Sequence, residues 1–163
     1  MKIILTFVLT CTLVGCGKIE AYEEIKVTID EVVEMSEKQE DFVLLVEREN
    51  CPFCEEIHEY IEKSQQEHLG IKVYVLDVTH FKFKKEGDML ISETEDGKTF
   101  LNMFPYFLYT PSIYEIRYGE AVQVGVGFDD TLKEVSVWDV DSMVDFNRAS
   151  SQNIWNYIEG AQK

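Results

Sequence analysis

The chain has 163 residues, of which 31 are acidic and 15 are Lys or Arg, so its formal net charge is −16. This length is sufficient for one domain with its own apolar core. Nucleic acid is excluded as a partner class, because binding to phosphates depends on clustered Lys and Arg. The acidic chain also gains no electrostatic attraction to anionic lipid, so we interpret its charge as a solvated surface.

The first fifteen residues have the composition of an export signal. A basic start at Met1-Lys2 precedes an apolar run over residues 3–14. That run is shorter than the roughly 20 residues that a membrane-spanning helix needs. The pattern is typical of a secretory signal, and we assign residues 1–15 to it. An uncleaved anchor is the alternative.

The end of this run, Leu13-Val14-Gly15-Cys16, resembles the lipobox of bacterial lipoproteins. The resemblance implies that the signal is cut before Cys16 and that this cysteine carries a diacylglycerol. Two acyl chains are enough for stable anchoring to a bilayer. Residues 16–23 would then form a lipidated tether outside the cytoplasmic membrane, and residues 24–163 the folded domain. An ordinary signal peptide without lipid is the other interpretation.

The sequence contains four cysteines, and two of them belong to this leader. Cys11 lies inside the signal and Cys16 is taken by lipid, so the mature chain keeps Cys51 and Cys54. This pair closes only a small loop, which gives little entropic stabilisation of the fold. Redox exchange is therefore the use that the pair suggests.

The first half of the chain predicts strands that alternate with helices. Apolar residues alternate over Ile25–Ile29 and indicate a strand. Thr28 and Glu31 then predict a capping box at the start of a short helix, with Asp30 as a competing cap. The apolar run Phe42–Val46 has the composition of a buried central strand.

A second helix and a third strand complete this half. The helix follows Cys51-Pro52-Phe53-Cys54 and ends near Leu69-Gly70, where glycine acts as a stop signal. Alternating residues over Ile71–Val78 predict the third strand. Right-handed crossovers make the pairing of these strands parallel.

The second half predicts an insertion, a hairpin and a final helix. Residues 80–105 give weak signals: a turn at Glu93–Gly97, then a helix over Lys98–Phe104 that Pro105 stops. We interpret this segment as an insertion that shapes a substrate groove.

Clearer patterns follow the insertion. Ser112–Ile116 and Val122–Val126 predict an antiparallel hairpin around Tyr118-Gly119. Val135–Val137 has the composition of a short strand, and Asn147–Gly160 predicts the last helix.

The two cysteines lie where a buried strand turns into a helix. Pro52 suits the first helical position, so Cys51 stands at the helix start, where unpaired amides and the helix dipole favour an anion. Cysteines in this setting have pKa values of roughly 3.5–7.5 instead of about 8.5. We therefore assign Cys51, which we expect to be the more exposed cysteine, as the nucleophile, and Cys54, one turn further and more buried, as the resolving thiol.

This segment resembles the active site of the thioredoxin superfamily. The similarity extends to Tyr109-Thr110-Pro111 and the hairpin after it, which are similar to the cis-proline strand of that family. The resemblance implies an α/β thioredoxin-like fold with a central mixed sheet, with β-α-β-α-β followed by a hairpin and a C-terminal helix. It also implies that Pro111 is a cis-proline beside the cysteines and that Thr110 docks substrate. We assign Pro52 and Phe53 to substrate binding as well.

The order of elements from Val27 to Cys54 is also similar to Gram-positive thioredoxin-like lipoproteins of the bacteriocin-transport accessory type. One departure from thioredoxins is Leu45, which stands where that family keeps a buried acid. Glu47 is the nearest replacement near Cys54, although an ordinary exposed acid is the interpretation that we prefer. We likewise interpret His58 as a surface residue.

The cysteine pair has two other interpretations. As half of a zinc site it needs two more ligands, and His58, His68 and His80 show no convincing ligand spacing. As an inert structural pair it would contribute little.

We therefore expect a membrane-anchored, extracytoplasmic thiol–disulfide oxidoreductase, a monomer that acts on exported proteins and is recycled by a membrane redox partner. It needs no metal and no cofactor beyond the Cys51–Cys54 disulfide. The alternative is a non-catalytic accessory or chaperone-like protein that binds secreted peptides. The direction of exchange (oxidase, reductase or isomerase) stays open.

Overall fold

Alternating and continuous apolar runs between residues 23 and 77 form three strands joined by two helices. The computed structural model describes residues 20–141 and 147–163, so the predicted signal, Cys16 and residues 16–19 of the predicted tether lie outside the described residues. The elements are β1 (Glu23–Val27), α1 (Ile29–Glu37), β2 (Phe42–Glu47), α2 (Pro52–Ser64) and β3 (Lys72–Asp77). This order is the one that the sequence predicts.

Local capping explains where the first helix begins. Thr28 is its N-cap: the Thr28 hydroxyl accepts the Glu31 N–H, and the Glu31 carboxylate accepts the Thr28 N–H. The predicted capping box is therefore confirmed, and Asp30 lies in the first turn instead of competing for the cap. Two orphan amides of the helix are satisfied by this exchange.

The insertion is a β-hairpin followed by a helix. Its elements are β4 (Phe83–Glu86), β5 (Met89–Ser92) and α3 (Glu95–Met103). The predicted turn at Glu93–Gly97 is wrong, because the Thr94 hydroxyl accepts the Gly97 N–H and caps α3 at this point. Gly97 lies inside the helix, and this position requires glycine because a side chain there would overlap the Phe81 carbonyl and Ser92.

The remaining elements form the far half of the sheet and the last helix. They are β6 (Ser112–Arg117), β7 (Glu120–Asp129), β8 (Glu134–Asp139), β9 (Ser150–Asn153) and α4 (Ile154–Gly160). The predicted hairpin is confirmed, with Tyr118 and Gly119 both at positive φ in its two-residue turn.

The last helix is shorter than Asn147–Gly160. Ser150–Asn153 instead pairs with β8 as an edge strand, and the Asn153 side chain accepts the N–H groups of Trp155 and Asn156. Asn153 is therefore an N-cap that local pattern alone did not separate from the helix.

Within the described residues, seven strands form one mixed sheet in the order β1-β3-β2-β6-β7-β8-β9, and β4 pairs with β5 apart from it. β3 pairs in parallel with β1 and β2, whereas β6 runs antiparallel to β2 and pairs with β7. This is a thioredoxin-like fold, with β8 and β9 added at one edge. β2 therefore lies in the interior of the sheet and delivers its carboxyl end to the cysteines.

Two apolar clusters cover the two faces of the sheet. Along β2, Phe42, Leu44 and Val46 belong to the cluster that packs against α1 and the insertion, whereas Val43 and Leu45 belong to the cluster that packs against α2 and α4. Because both faces of β2 are buried, its sequence is a continuous apolar run. In the described part of the chain, no helix is both long enough and apolar enough to cross a membrane.

Candidate redox site

The turn between β2 and α2 places both cysteines at a helix start. Cys51 is the N-cap of α2 and Pro52 the first helical residue. The Cys54 N–H donates to Cys51 Sγ at 3.3 Å, and the two cysteines form a disulfide with their Cα atoms 5.2 Å apart. The predicted position of the pair is confirmed, and the helix start is suited to hold a negative charge on Cys51.

Access to this pair is through a groove. Cys51 and Cys54 are both 3% exposed, so the expectation that Cys51 is the more exposed cysteine is wrong. Cys51 nevertheless lines the groove, as do Pro52 and Phe53, and Phe53 is 53% exposed. The groove is therefore a side from which a small or extended substrate can meet Cys51.

The peptide bond between Thr110 and Pro111 is cis, as the resemblance implies. The Thr110 carbonyl oxygen lies 3.6 Å from Cys51 Sγ, and the Thr110 hydroxyl donates to the same sulfur at 3.5 Å. The Pro111 carbonyl accepts the Gly127 N–H at 3.0 Å, and Ser112 Oγ donates to the Tyr109 carbonyl at 2.6 Å. These bonds hold the cis-proline loop against the cysteines.

Two further hydrogen bonds fix the N-terminal part of the redox turn, residues 48–54. The Glu49 N–H donates to Thr79 Oγ1 at 2.8 Å, which ties the turn to the segment after β3. Arg48 Nε donates to Thr110 Oγ1 at 3.3 Å. The sequence analysis did not single out Arg48, although a signal existed: it is a basic residue between Glu47 and Glu49 in a very acidic chain.

The groove has a volume of about 980 Å³. One part of its lining comes from the insertion and the loop after it, and another part from β7, β8 and β9. The lining residues of the insertion side are Lys82, Phe83, Leu90, Phe107, Leu108 and Tyr109. Those of the sheet side are Val126, Gly127, Phe128, Asp129, Glu134, Val135, Ser136 and Ser151.

An aromatic cluster supports the insertion wall. The Phe100 ring is fully buried and contacts the rings of Phe81, Phe83, Phe104 and Phe107, with centroids 4.9 to 5.8 Å apart. Such tilted and edge-on pairs contribute beyond their buried area. The cluster continues into the sheet face that carries β2, so the wall is part of the main core.

A charged cluster lies one helical turn beyond Cys54. His58 Nε2 contacts the Glu47 carboxylate, and His58 Nδ1 lies 3.7 Å from Glu24 Oε1. The hydrogen bonds to Glu24 and Glu47 raise the pKa of His58 to about 10, and the bond from His58 lowers the pKa of Glu24. Glu47 is paired and only 19% exposed, so its interpretation as an ordinary exposed acid is wrong. His58 lies at the surface, with its side chain 35% exposed. Leu45 is buried as its apolar character requires.

The other histidines are engaged elsewhere or exposed. His68 Nδ1 lies 2.6 Å from Glu159 Oε1, and the His68 ring stacks on Trp155 at 4.0 Å. His80 is exposed. Across residues 20–141 and 147–163, no group of three His, Cys, Asp or Glu side chains is arranged to hold a metal ion.

Comparisons with known proteins give structural likenesses but no sequence relative. Neither a family model nor a curated protein sequence matches the chain. Among solved structures, the chain is similar to the short form of thioredoxin F from spinach chloroplast. The identity is 14% and the TM-score 0.48, over 88% of this chain and 96% of that one. The fold assignment therefore depends on the strand order given above.

Taken together, the fold and the paired cysteines fit a thiol–disulfide oxidoreductase in general terms. The structure brings Cys51, Cys54, Thr110 and Pro111 to one place and puts Pro52 and Phe53 on the groove.

Proposed function

We propose that the protein is a thiol–disulfide oxidoreductase that acts on exported proteins from a lipid anchor outside a bacterial cytoplasmic membrane. The observation that carries the reaction is the Cys51 sulfur: it caps a helix and lies 3.6 Å from the carbonyl next to a cis-proline. This sulfur also faces the groove. A reactive sulfur, a backbone acceptor for substrate and a path for entry therefore coincide.

The reaction needs no group beyond the two cysteines. In the reducing direction, the Cys51 thiolate attacks a substrate disulfide, its S–S bond breaks, and the released substrate thiolate takes up a proton. Cys54, once deprotonated, attacks Cys51 Sγ and displaces the second substrate sulfur. The substrate gains two electrons and two protons, and Cys51 and Cys54 become a disulfide. The oxidising direction is the same sequence reversed, and it starts from a substrate thiolate.

The groove supplies the substrate site. Its lining is on the whole mainly apolar, with Phe53 and Tyr109 each more than half exposed. An extended segment of an incompletely folded protein would bury apolar side chains on these rings. Thr110 offers its carbonyl oxygen to the backbone of that segment. We assign substrate binding to Thr110, Pro52 and Phe53 on this basis.

The anchor and the electron source belong to the proposal as well. Cys16 in the lipobox-like segment would hold the domain at the membrane through its lipid. A membrane protein with its own dithiol or disulfide would restore the working state of the Cys51–Cys54 pair by the same exchange chemistry.

A second candidate is an accessory protein that binds secreted peptides without redox turnover. The size of the groove favours it, since about 980 Å³ suits a peptide segment whether or not the disulfide reacts. In this case the disulfide would serve only to shape the helix start.

One set of variants separates the two candidates. In cells that express Cys54→Ser, we expect exported proteins trapped on Cys51 as mixed disulfides that reductant releases. In Cys51→Ser cells, the thiol state of those proteins should change. The accessory candidate predicts no trapped species and unchanged thiol states. Loss of the membrane fraction in Cys16→Ser tests the anchor separately.

A further inference from the structure

We propose that Arg48 is a positioning residue for Cys51: its guanidinium holds the Thr110 hydroxyl so that this hydroxyl donates to the sulfur and stabilises the thiolate. This inference rests on the proposed exchange reaction, in which Cys51 is the attacking sulfur. It gives Thr110 a side-chain role besides the backbone role that its position implies.

The geometry is a chain of two hydrogen bonds across the groove. Arg48 Nε donates to Thr110 Oγ1 at 3.3 Å, and Thr110 Oγ1 donates to Cys51 Sγ at 3.5 Å. The residues come from two distant segments, 62 positions apart in sequence. The guanidinium nitrogen is consequently no more than about 7 Å from the sulfur.

The arrangement fixes the direction of the hydroxyl proton. A threonine hydroxyl has one hydrogen and two lone pairs. Because guanidinium can only donate, Arg48 occupies a lone pair of Oγ1, and the hydroxyl hydrogen is left for the sulfur. A charged donor on the oxygen also polarises the O–H group and makes it a better donor. The thiolate accepts this bond more strongly than a thiol does.

The negative charge around Cys51 makes a cation near its sulfur important. The chain carries a net charge of −16, and Glu49 and Glu55 stand on the same turn and the first helical turn. These carboxylates oppose a thiolate. Arg48 is a cation in that turn, and its guanidinium donates to the Thr110 hydroxyl, which in turn donates to the sulfur. The sulfur therefore receives the Cys54 amide and the Thr110 hydroxyl as donors.

Stabilising the Cys51 thiolate stabilises the reduced protein relative to the disulfide. Arg48 should therefore make the couple more oxidising. Removing it should raise the pKa of the Cys51 thiol by about 0.5 to 1, which is the size expected when the thiolate loses one hydrogen bond. The equilibrium constant for oxidation of glutathione by the protein disulfide should then fall about three- to tenfold. The reduction potential of the couple should become more negative by about 15 to 30 mV.

The test compares variants of the reduced full chain. For each variant, the rate of Cys51 alkylation by iodoacetamide is followed against pH, and peptide mass spectrometry separates Cys51 from the other cysteines. The variants are Arg48→Met, Thr110→Val, their double variant, and Thr110→Ser, which keeps the hydroxyl. Lys82→Met is the matched control, since Lys82 is another cation on the groove.

We expect Arg48→Met and Thr110→Val to raise the pKa of Cys51 by similar amounts, and the double variant to raise it no further. Thr110→Ser and Lys82→Met should stay near the parent value. The proposal is overturned if Arg48→Met leaves the pKa unchanged, if the two effects add, or if Lys82→Met has an equal effect. The alkylation profile does not require exchange with any substrate, so it stands apart from failure of the proposed function.

Discussion

The redox turn (residues 48–54) and the insertion (residues 80–105) face the same groove but are built by different forces. Polar contacts organise the turn: a helix cap, the Glu49 amide on Thr79 and the Arg48 contact to Thr110. Aromatic packing around Phe100 organises the insertion. The difference indicates that chemistry depends on a few directed bonds, whereas the shape of the binding wall depends on buried area. Changes in the two regions should therefore have separable effects.

The largest expected effect is loss of exchange when the turn loses its attacking sulfur. Cys51→Ser should reduce the exchange rate with a disulfide peptide to background, because Cys51 is the cysteine on the groove. Cys54→Ser should still form the mixed disulfide with the peptide but fail to resolve it. Product and adduct are measured by mass spectrometry. If Cys51→Ser retains the rate and Cys54→Ser loses the adduct, the two roles are exchanged.

A cavity in the insertion should act on stability. Phe100 is fully buried among four aromatic rings, so Phe100→Ala should lower the free energy of unfolding by about 3–5 kcal/mol. Urea denaturation measures the change. Met89→Ala is the control on the same insertion, and it should cost little because Met89 is 69% exposed.

The insertion wall is continuous with the core cluster around β2, so this loss should appear as a shift of the whole unfolding transition. A separate early transition, with the main midpoint unchanged, would show that the insertion folds independently of the sheet.

A smaller change at the groove surface should act on binding. Leu90 lines the groove, whereas its neighbour Ile91 points to the opposite face of β5. Leu90→Ala should raise KM about threefold to tenfold for a peptide with a large apolar residue beside its cysteine, with kcat retained. Ile91→Ala should leave KM unchanged, and equal effects from both variants would exclude a specific role for this wall.

The smallest effect concerns the charged cluster of His58, Glu24 and Glu47. Because the pKa of His58 is raised to about 10 in the folded state, its ion pairs stabilise fully below the unfolded value of about 6.5. That stabilisation is lost as pH rises through the folded value. The side chain is 35% exposed, so solvent screening limits the gain to about 1 kcal/mol.

The comparison is between the parent chain and His58→Gln in urea unfolding. Their difference in unfolding free energy should be greatest near pH 6 and should shrink toward zero near pH 10. A difference that stays constant over this range would mean that His58 acts by packing alone.

The redox turn could be predicted from the sequence because the features that form it lie within a few residues of one another. A buried strand, Cys51 at a cap and Pro52 at the first helical position each constrain the backbone within a few residues. The hairpin around Tyr118-Gly119 was equally local, since both residues adopt the positive φ that its turn requires.

Of the insertion, the sequence predicted most of helix α3. It did not predict the start of that helix, because tertiary contacts decide it. The pattern Glu95-Asp96-Gly97 is typical of a turn, yet all three residues lie in α3, where position 97 needs glycine because Phe81 and Ser92 approach it closely. The strand Ser150–Asn153 is polar and is fixed by its pairing with β8. Arg48 and Thr110 are likewise joined only by the fold, so no spacing rule could connect them.

The equilibrium between the purified protein and glutathione tests the central claim most directly. The fraction of protein with the Cys51–Cys54 disulfide is measured by mass spectrometry across a series of glutathione ratios. We expect one reversible two-electron transition with a potential between about −270 and −120 mV. A pair that stays oxidised at every ratio, with a potential below about −300 mV, would show a structural disulfide and contradict the account.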